Sequence, residues 1–158
     1  MNKKQLEKIK LDISRREEAV GRVLDEYLAR DGCPCGIKQF VYWAGKKQGP
    51  GWQDSIQNQL VKSALKLKCF VAVEDFKKEY WLEGVYYCKN CGTNWKHFSQ
   101  EWRMLAFQEQ LLIIGGDDPA KLFDEVIGSE IFATYGREPS GKKLLTLKQW
   151  EDFMLENS

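Results

Sequence analysis

Cys88-Lys89-Asn90-Cys91-Gly92 is the stretch of sequence that decides the fold of this chain. A tight turn places two such cysteine sulfurs on one side, and the glycine permits the backbone geometry that leaves room for a metal ion. A second close pair, Cys33-Pro34-Cys35, is flanked by glycine on both sides. Because two thiolate pairs make a tetrahedral Zn²⁺ site, the sequence predicts one structural zinc ion bound by Cys33, Cys35, Cys88 and Cys91.

The distance between the two pairs along the chain is unusual for such a site. Fifty-two residues, from Gly36 to Tyr87, separate them, whereas a compact zinc ribbon has about 15–20. A complete shell of four cysteines leaves no open position for water or substrate, so such an ion holds the fold together and does not catalyse. Cys69 is left over, and a small buried thiol is its ordinary role.

The single histidine, His97, follows the second cysteine pair. Three roles stay open for it: an ordinary residue of a hairpin, a fourth metal ligand in place of one cysteine, or a general base. One histidine excludes metal sites built on several histidines. The segment Gly136–Lys143 nearly matches a phosphate-binding loop, but Lys143 cannot supply the hydroxyl that binds Mg²⁺. We therefore predict that the protein is not an enzyme, with an unrecognised carboxylate site as the remaining alternative.

The length of 158 residues with 43% hydrophobic residues suits a single domain with a true core, residues 1–158. No apolar stretch approaches the ~20 residues of a membrane span. An odd number of cysteines in close pairs fits a reducing compartment and metal ligation better than a disulfide framework. We expect a cytoplasmic protein in three segments: an N-terminal amphipathic helix (1–31), a zinc-knuckle region (32–103) and an acidic helical end (104–158).

The pattern of apolar residues predicts an α+β fold with a long N-terminal helix, a small mixed or antiparallel sheet and C-terminal helices. The first helix should stop at Gly32, which supplies a left-handed end. Around the knuckle, residues 79–102 form a predicted hairpin. Further along the chain the pattern predicts a strand over Ile37–Trp43, a helix from Ile56 capped by Asp54 or Ser55, and a strand containing Cys69. Residues 103–114 fit both a helix and a strand, and the apolar run at their end favours a strand. The pattern then predicts a helix from Asp118 to Gly128 and a last helix that begins with the capping box Thr146–Gln149.

The net charge of +1 hides an uneven distribution along the chain. Segment 32–103 carries a net +5 and segment 104–158 a net −5. Lysines interleaved with tryptophan and tyrosine in the middle segment can track a nucleic-acid strand by stacking and phosphate contact. A zinc-dependent nucleic-acid-binding or transcription-regulatory module is therefore the alternative to a protein-binding module.

A protein-binding surface accounts for the remaining features. The aromatic residues exceed what one small core seals easily, and tryptophan and tyrosine anchor interfaces. The acidic last segment would steer a basic partner, such as a nuclease toxin. The predicted partner-binding residues are Trp95, Trp102, Asp117, Asp118, Asp124 and Glu125.

The knuckle region, Tyr87-Cys88-Lys89-Asn90-Cys91-Gly92-Thr93-Asn94-Trp95, with the acidic end and the lack of a catalytic set, resembles small bacterial immunity proteins of the polymorphic-toxin kind. Only the knuckle region, about ten residues, forms a recognisable motif. The resemblance implies a protein that neutralises a cognate toxin by covering its active site, and it assigns that role to no particular residue.

Overall fold

The long N-terminal helix predicted from the sequence is present. The computed structural model describes residues 2–46, 56–103, 106–117, 127–129 and 143–156, and helix α1 spans Lys3–Asp31. Asn2 caps its start, because its side chain accepts the Gln5 amide while the Gln5 side chain accepts the Asn2 amide, both at 2.9 Å. Gly32 ends the helix with φ 70°. The predicted left-handed terminus is therefore confirmed.

The prediction of a strand over Ile37–Trp43 is wrong. Helix α2 spans Lys38–Gly45, and six of its eight residues are buried. The sequence of an amphipathic helix repeats its apolar residues every three to four positions. A short helix that is buried on nearly every side lacks this period, so its sequence resembles that of a buried strand. Helix α3 follows at Ile56–Ala64, and its predicted caps, Asp54 and Ser55, lie outside the described residues.

The predicted hairpin is the centre of a four-stranded antiparallel sheet. Strands β1 (Phe70–Ala72), β2 (Leu82–Cys88), β3 (Asn94–Arg103) and β4 (Ala106–Ile113) lie in the order β1-β2-β3-β4. The expected strand near the end of segment 103–114 is thus confirmed as β4. Cys69 lies one residue before β1, not inside it.

The C-terminal part contributes two short parallel strands and a helix. Strands β5 (Ile127–Ser129) and β6 (Lys143–Leu145) pair with each other, and helix α4 spans Leu147–Leu155. The capping box of Thr146 and Gln149 is confirmed. Of the helix predicted over 118–128, residues 118–126 lie outside the described part, and its predicted end is wrong. Ile127 pairs with Lys143 in the sheet, and such long-range pairing overrides a local helical pattern.

The core lies where the C-terminal half of α1 meets the other elements. Helices α2 and α3 pack against β4, and α1 packs against α3 and α4. Three tryptophans are fully buried there: Trp43, Trp95 and Trp150. The structure is therefore α+β, with one end of α1 placed next to the hairpin.

Candidate metal centre

The turn between β2 and β3 holds the second cysteine pair. The Gly92 amide donates to the Cys88 carbonyl at 2.6 Å, and the Cys88 amide donates to the Thr93 carbonyl at 2.8 Å. Gly92 has φ 76°, a left-handed conformation that glycine adopts at no steric cost. The cysteine motif thus folds as predicted, into the tight turn that joins the two strands of the hairpin.

The first cysteine pair lies in the connection between α1 and α2. The Gly32 amide donates to the Leu28 carbonyl at 2.8 Å and closes α1, and the Ile37 amide donates to the Pro34 carbonyl at 3.1 Å just before α2. The left-handed Gly32 reverses the chain immediately before Cys33. Two helix ends therefore fix the position of Cys33 and Cys35.

The fold brings these two turns together. The sulfur atoms of Cys33, Cys35, Cys88 and Cys91 all lie within 4.8 Å of one another. The Asn90 side chain also joins the turns, since its Nδ2 donates to the Gly32 carbonyl at 2.5 Å. In a tetrahedral site with Zn–S bonds of about 2.3 Å, neighbouring sulfurs are roughly 3.8 Å apart. The four thiols are thus close enough to hold one metal ion.

Neighbouring groups orient two of the four sulfurs. Trp95 Nε1 donates to Cys35 Sγ at 3.3 Å, and the Thr93 hydroxyl lies 3.2 Å from Cys91 Sγ. Cys33, Cys35 and Cys88 are buried, whereas Cys91 is exposed. Hydrogen bonds of this kind fix ligand geometry in metal sites and tune the affinity for the ion. The cluster therefore has a buried side against Trp95 and an open side at Cys91.

The surroundings act unequally on the thiols. Burial raises the pKa of Cys33 to about 11, and burial also raises the pKa of Cys35 far above its ordinary value. Burial works to raise the pKa of Cys91 as well, but hydrogen bonds from Thr93 and the neighbouring thiols outweigh it and lower that pKa to about 7. Without a cation the thiols of Cys33 and Cys35 keep their protons, so a metal ion that binds them must displace these protons.

His97 is a hairpin residue and not part of this cluster. Its Nε2 lies 2.5 Å from Glu109 Oε2, and the Ser99 hydroxyl donates to Glu109 Oε1 at 3.0 Å. The Glu109 amide donates to Asn58 Oδ1 at 2.9 Å, which joins the pair to α3. Burial raises the pKa of Glu109, but the hydrogen bonds from His97 and Ser99 outweigh burial and lower it overall.

Cys69 lies beside the centre without belonging to the four-sulfur cluster. Its carbonyl accepts the Lys89 amide at 2.8 Å, which ties the start of β1 to the cysteine turn. Cys69 is buried, and burial together with the nearby Cys88 raises the pKa of its thiol. A buried thiol at this place matches the role that the sequence predicted for it.

The residues predicted to bind a partner do not form one surface among the described residues. The prediction for Trp95 is wrong, because its indole is fully buried and packs against Phe40 and Phe70 at centroid distances of 5.7 and 6.0 Å. Trp102 is a residue of β3, and Asp117 is exposed after β4. Asp118, Asp124 and Glu125 lie outside the described residues.

The two most exposed aromatic residues of the described part of the chain lie elsewhere. Tyr80 and Trp81, between β1 and β2, are 82% and 46% exposed. The excess of aromatic residues in the sequence indicates that some of them are exposed. Successive side chains of a strand face opposite sides, but this alternation does not say which side faces the solvent. None of the helices in the described ranges has the length and apolar character to cross a membrane.

Comparison of the chain with protein-family models, with curated proteins and with solved structures finds no match. The function must therefore be argued from the geometry of the site and the surface.

Proposed function

We propose that this protein is a zinc-stabilised module that acts by binding another protein. The observation that carries the proposal is the convergence of four thiols from two turns that are distant in the sequence, with all sulfurs within 4.8 Å. Four soft sulfur donors in a tetrahedral arrangement favour zinc or an iron–sulfur cluster over hard cations. A closed zinc shell supports a structural role and leaves the molecular surface to carry the function.

The position of the cluster supports a large structural contribution. Zinc binding to such sites is worth on the order of 10–16 kcal/mol at neutral pH, comparable to the stability of a whole domain. The ion would join the end of α1 to the turn between β2 and β3, which the hydrogen bond from Asn90 to Gly32 also links. Loss of the ion should therefore loosen the contact between the end of α1 and this turn.

The metal content of the purified protein tests this role. We expect one zinc ion per chain by mass spectrometry, and loss of that ion in both Cys33→Ser and Cys88→Ser, because each pair supplies half of the shell. Both variants should unfold at lower temperature than the wild type, as followed by circular dichroism. The matched control is Cys69→Ser, a buried thiol outside the four-sulfur cluster, which should keep its zinc.

Three results would contradict the zinc site. The first is a protein that contains no metal when it is prepared under reducing conditions. The second is a protein that contains iron and shows the visible absorbance of an iron–sulfur cluster. The third is a Cys33→Ser variant that retains zinc as firmly as the wild type. The last result would show that the two cysteine pairs do not share one ion.

Binding of a protein, rather than of nucleic acid, is supported by the charge around the exposed aromatic residues. Tyr80 and Trp81 lie in the segment Val73–Glu83, which has four acidic and two basic residues. Nucleic-acid sites require basic groups beside the stacking rings, because phosphate contacts supply most of the affinity. An acidic surround suits a basic protein instead.

The biological setting that we propose is that of an immunity protein, and it rests on the resemblance of the knuckle region. Asp117 is the one acidic residue of the predicted partner set that lies among the described residues, and it is exposed. A basic toxin as partner stays a prediction. Protection of a cell against a toxin encoded beside this protein would support it.

A further inference from the structure

The connection between β1 and β2 ends in a tight turn that carries two aromatic side chains at its tip. The Leu82 amide donates to the Glu79 carbonyl at 3.1 Å, and the Glu79 amide donates to the Leu82 carbonyl at 3.3 Å. Tyr80 and Trp81 are therefore the two central residues of a closed turn. We name the segment Val73–Glu83 the aromatic turn.

Several contacts hold the aromatic turn in one conformation. At its base, the Val73 amide donates to the Val85 carbonyl at 2.8 Å. Lys78 and Glu83 form an ion pair at 2.6 Å on the two sides of the tip. Leu82 is buried and anchors the start of β2. A turn fixed in this way pays little entropy when its side chains bind a partner.

The Tyr80 and Trp81 rings pack on each other. Their centroids are 4.1 Å apart with an interplanar angle of 70°, and both rings keep large exposed fractions, 82% for Tyr80 and 46% for Trp81. Single exposed apolar residues are common, but two adjacent large rings at the tip of a fixed turn form the kind of patch that marks a binding site. Tryptophan and tyrosine are also the side chains that dominate interface energies.

The charge of the aromatic turn selects the chemistry of its partner. Glu74, Asp75 and Glu79 are exposed, as is Lys77, whereas Lys78 is paired with Glu83. With four acidic and two basic residues, the aromatic turn has a net charge of −2. Carboxylates bind guanidinium groups through charge-assisted hydrogen bonds, and the face of an indole attracts a cation. The same carboxylates repel phosphates and would also repel the identical turn of a second copy of this chain.

We propose that the aromatic turn docks onto an arginine-rich surface of a partner protein, with Tyr80 and Trp81 as the anchors and Glu74, Asp75 and Glu79 as the charged rim. This inference rests on the proposed protein-binding function and names the surface and the partner chemistry for it. The zinc centre takes no direct part in this contact, since it lies at the opposite end of β2, beyond Cys88.

The test measures binding of a synthetic arginine-rich peptide to the zinc-loaded full chain by calorimetry. The matched peptide carries citrulline, which keeps the shape of arginine without its charge. We expect the arginine peptide to bind, the citrulline peptide to bind at least tenfold more weakly, and Trp81→Ala to lose about tenfold in affinity for the arginine peptide. The affinity should also fall as salt is added.

Two pairs of variants separate the aromatic turn from the rest of the surface. Tyr87→Ala removes an exposed ring from β2 outside the turn, and its affinity should match that of the wild type. Glu74→Gln with Asp75→Asn should weaken binding several-fold, whereas Glu7→Gln with Asp12→Asn on α1, which changes the net charge equally, should not. Zinc content and circular dichroism are measured on every variant, so a loss of fold is separated from a loss of binding.

The proposal is overturned if the folded, zinc-loaded wild type does not bind the arginine peptide, or if Trp81→Ala binds it as well as the wild type. It is also overturned if a single-stranded oligonucleotide binds more tightly than the peptide and Trp81→Ala abolishes that binding. A folded, zinc-loaded protein that fails these tests would refute the aromatic turn as the contact and leave the structural zinc centre untouched.

Discussion

Glu109 is a carboxyl in the interior of the protein, and its ionisation bears on stability. It is buried, and it accepts hydrogen bonds from His97 and Ser99 across the β3–β4 pair. Burial raises its pKa, but these hydrogen bonds outweigh burial and lower it below the ordinary value of 4.5. A carboxyl with a lowered pKa stabilises the folded state above its unfolded pKa, and that stabilisation is lost as the pH falls through the folded pKa.

Replacing Glu109 by glutamine tests this argument. At neutral pH we expect Glu109→Gln to lower the free energy of unfolding by about 1–3 kcal/mol, because hydrogen bonds to a buried charge are lost. The difference from the wild type should shrink as the pH falls from about 4.5, the ordinary pKa that applies to the unfolded chain, through the lower pKa of the folded carboxyl. Denaturant unfolding at several pH values measures it.

The control for this prediction is Glu7→Gln, an exposed carboxylate on α1, which should change the unfolding free energy little at any of these pH values. A difference between Glu109→Gln and the wild type that stays constant down to acidic pH would contradict the assignment.

At the scale of elements, the Cys88–Cys91 turn and the end of α1 meet through a side chain as well as through the sulfurs. Asn90 Nδ2 donates to the Gly32 carbonyl at 2.5 Å. We expect Asn90→Ala to lower the free energy of unfolding by about 0.5–1.5 kcal/mol, and to speed the transfer of zinc to a competing chromogenic chelator, because the two turns are then held together by fewer contacts.

Asn94→Ala is the matched control for this element. In the wild type, the Asn94 side-chain amide donates to the Gly92 carbonyl at 3.4 Å, a hydrogen bond within the hairpin that does not reach α1. Zinc transfer from Asn94→Ala should proceed at the wild-type rate. Equal acceleration in both variants would mean that the hairpin, and not its link to α1, controls release of the ion.

The elements also show what the sequence could predict. Patterns that act within a few residues were predicted correctly: the left-handed end at Gly32, the Thr146 capping box and the Cys88–Cys91 turn. The four-cysteine cluster was predicted because few ligand chemistries use close thiol pairs. Helix α2 was missed because burial on nearly every side removes its periodicity. Trp95 was misplaced because the inner face of β3 is decided by packing on Phe40.

The contact of His97 with Glu109 could not be predicted either, because it depends on the register between β3 and β4. Ser99 lies directly opposite Glu109 in the β3–β4 pair, and a shift of one residue would turn Glu109 to the other face. The exposed turn of Tyr80 and Trp81 depends in the same way on where β2 begins.

At the scale of the whole molecule, α1 connects the four-cysteine cluster to the C-terminal helix α4. Its end carries the turn of Cys33, while Tyr27, one turn earlier, donates its hydroxyl to the Met154 carbonyl of α4. The Tyr27 ring also meets Phe40, which packs on Trp95, whose indole donates to Cys35. A continuous chain of buried contacts therefore leads from α4 to the sulfur cluster.

This arrangement predicts that α4 and the metal centre unfold together. Tyr27→Phe leaves the Met154 carbonyl without the buried tyrosine hydroxyl, so we expect a loss of about 1–3 kcal/mol in unfolding free energy. In a thermal melt, circular dichroism and release of zinc to a chromogenic chelator should give coincident curves that shift downward together in Tyr27→Phe. The control Leu11→Ala, at an exposed position on α1, should shift neither curve. Zinc released well before or after the loss of helix would show that the cysteine cluster unfolds independently of the helical core.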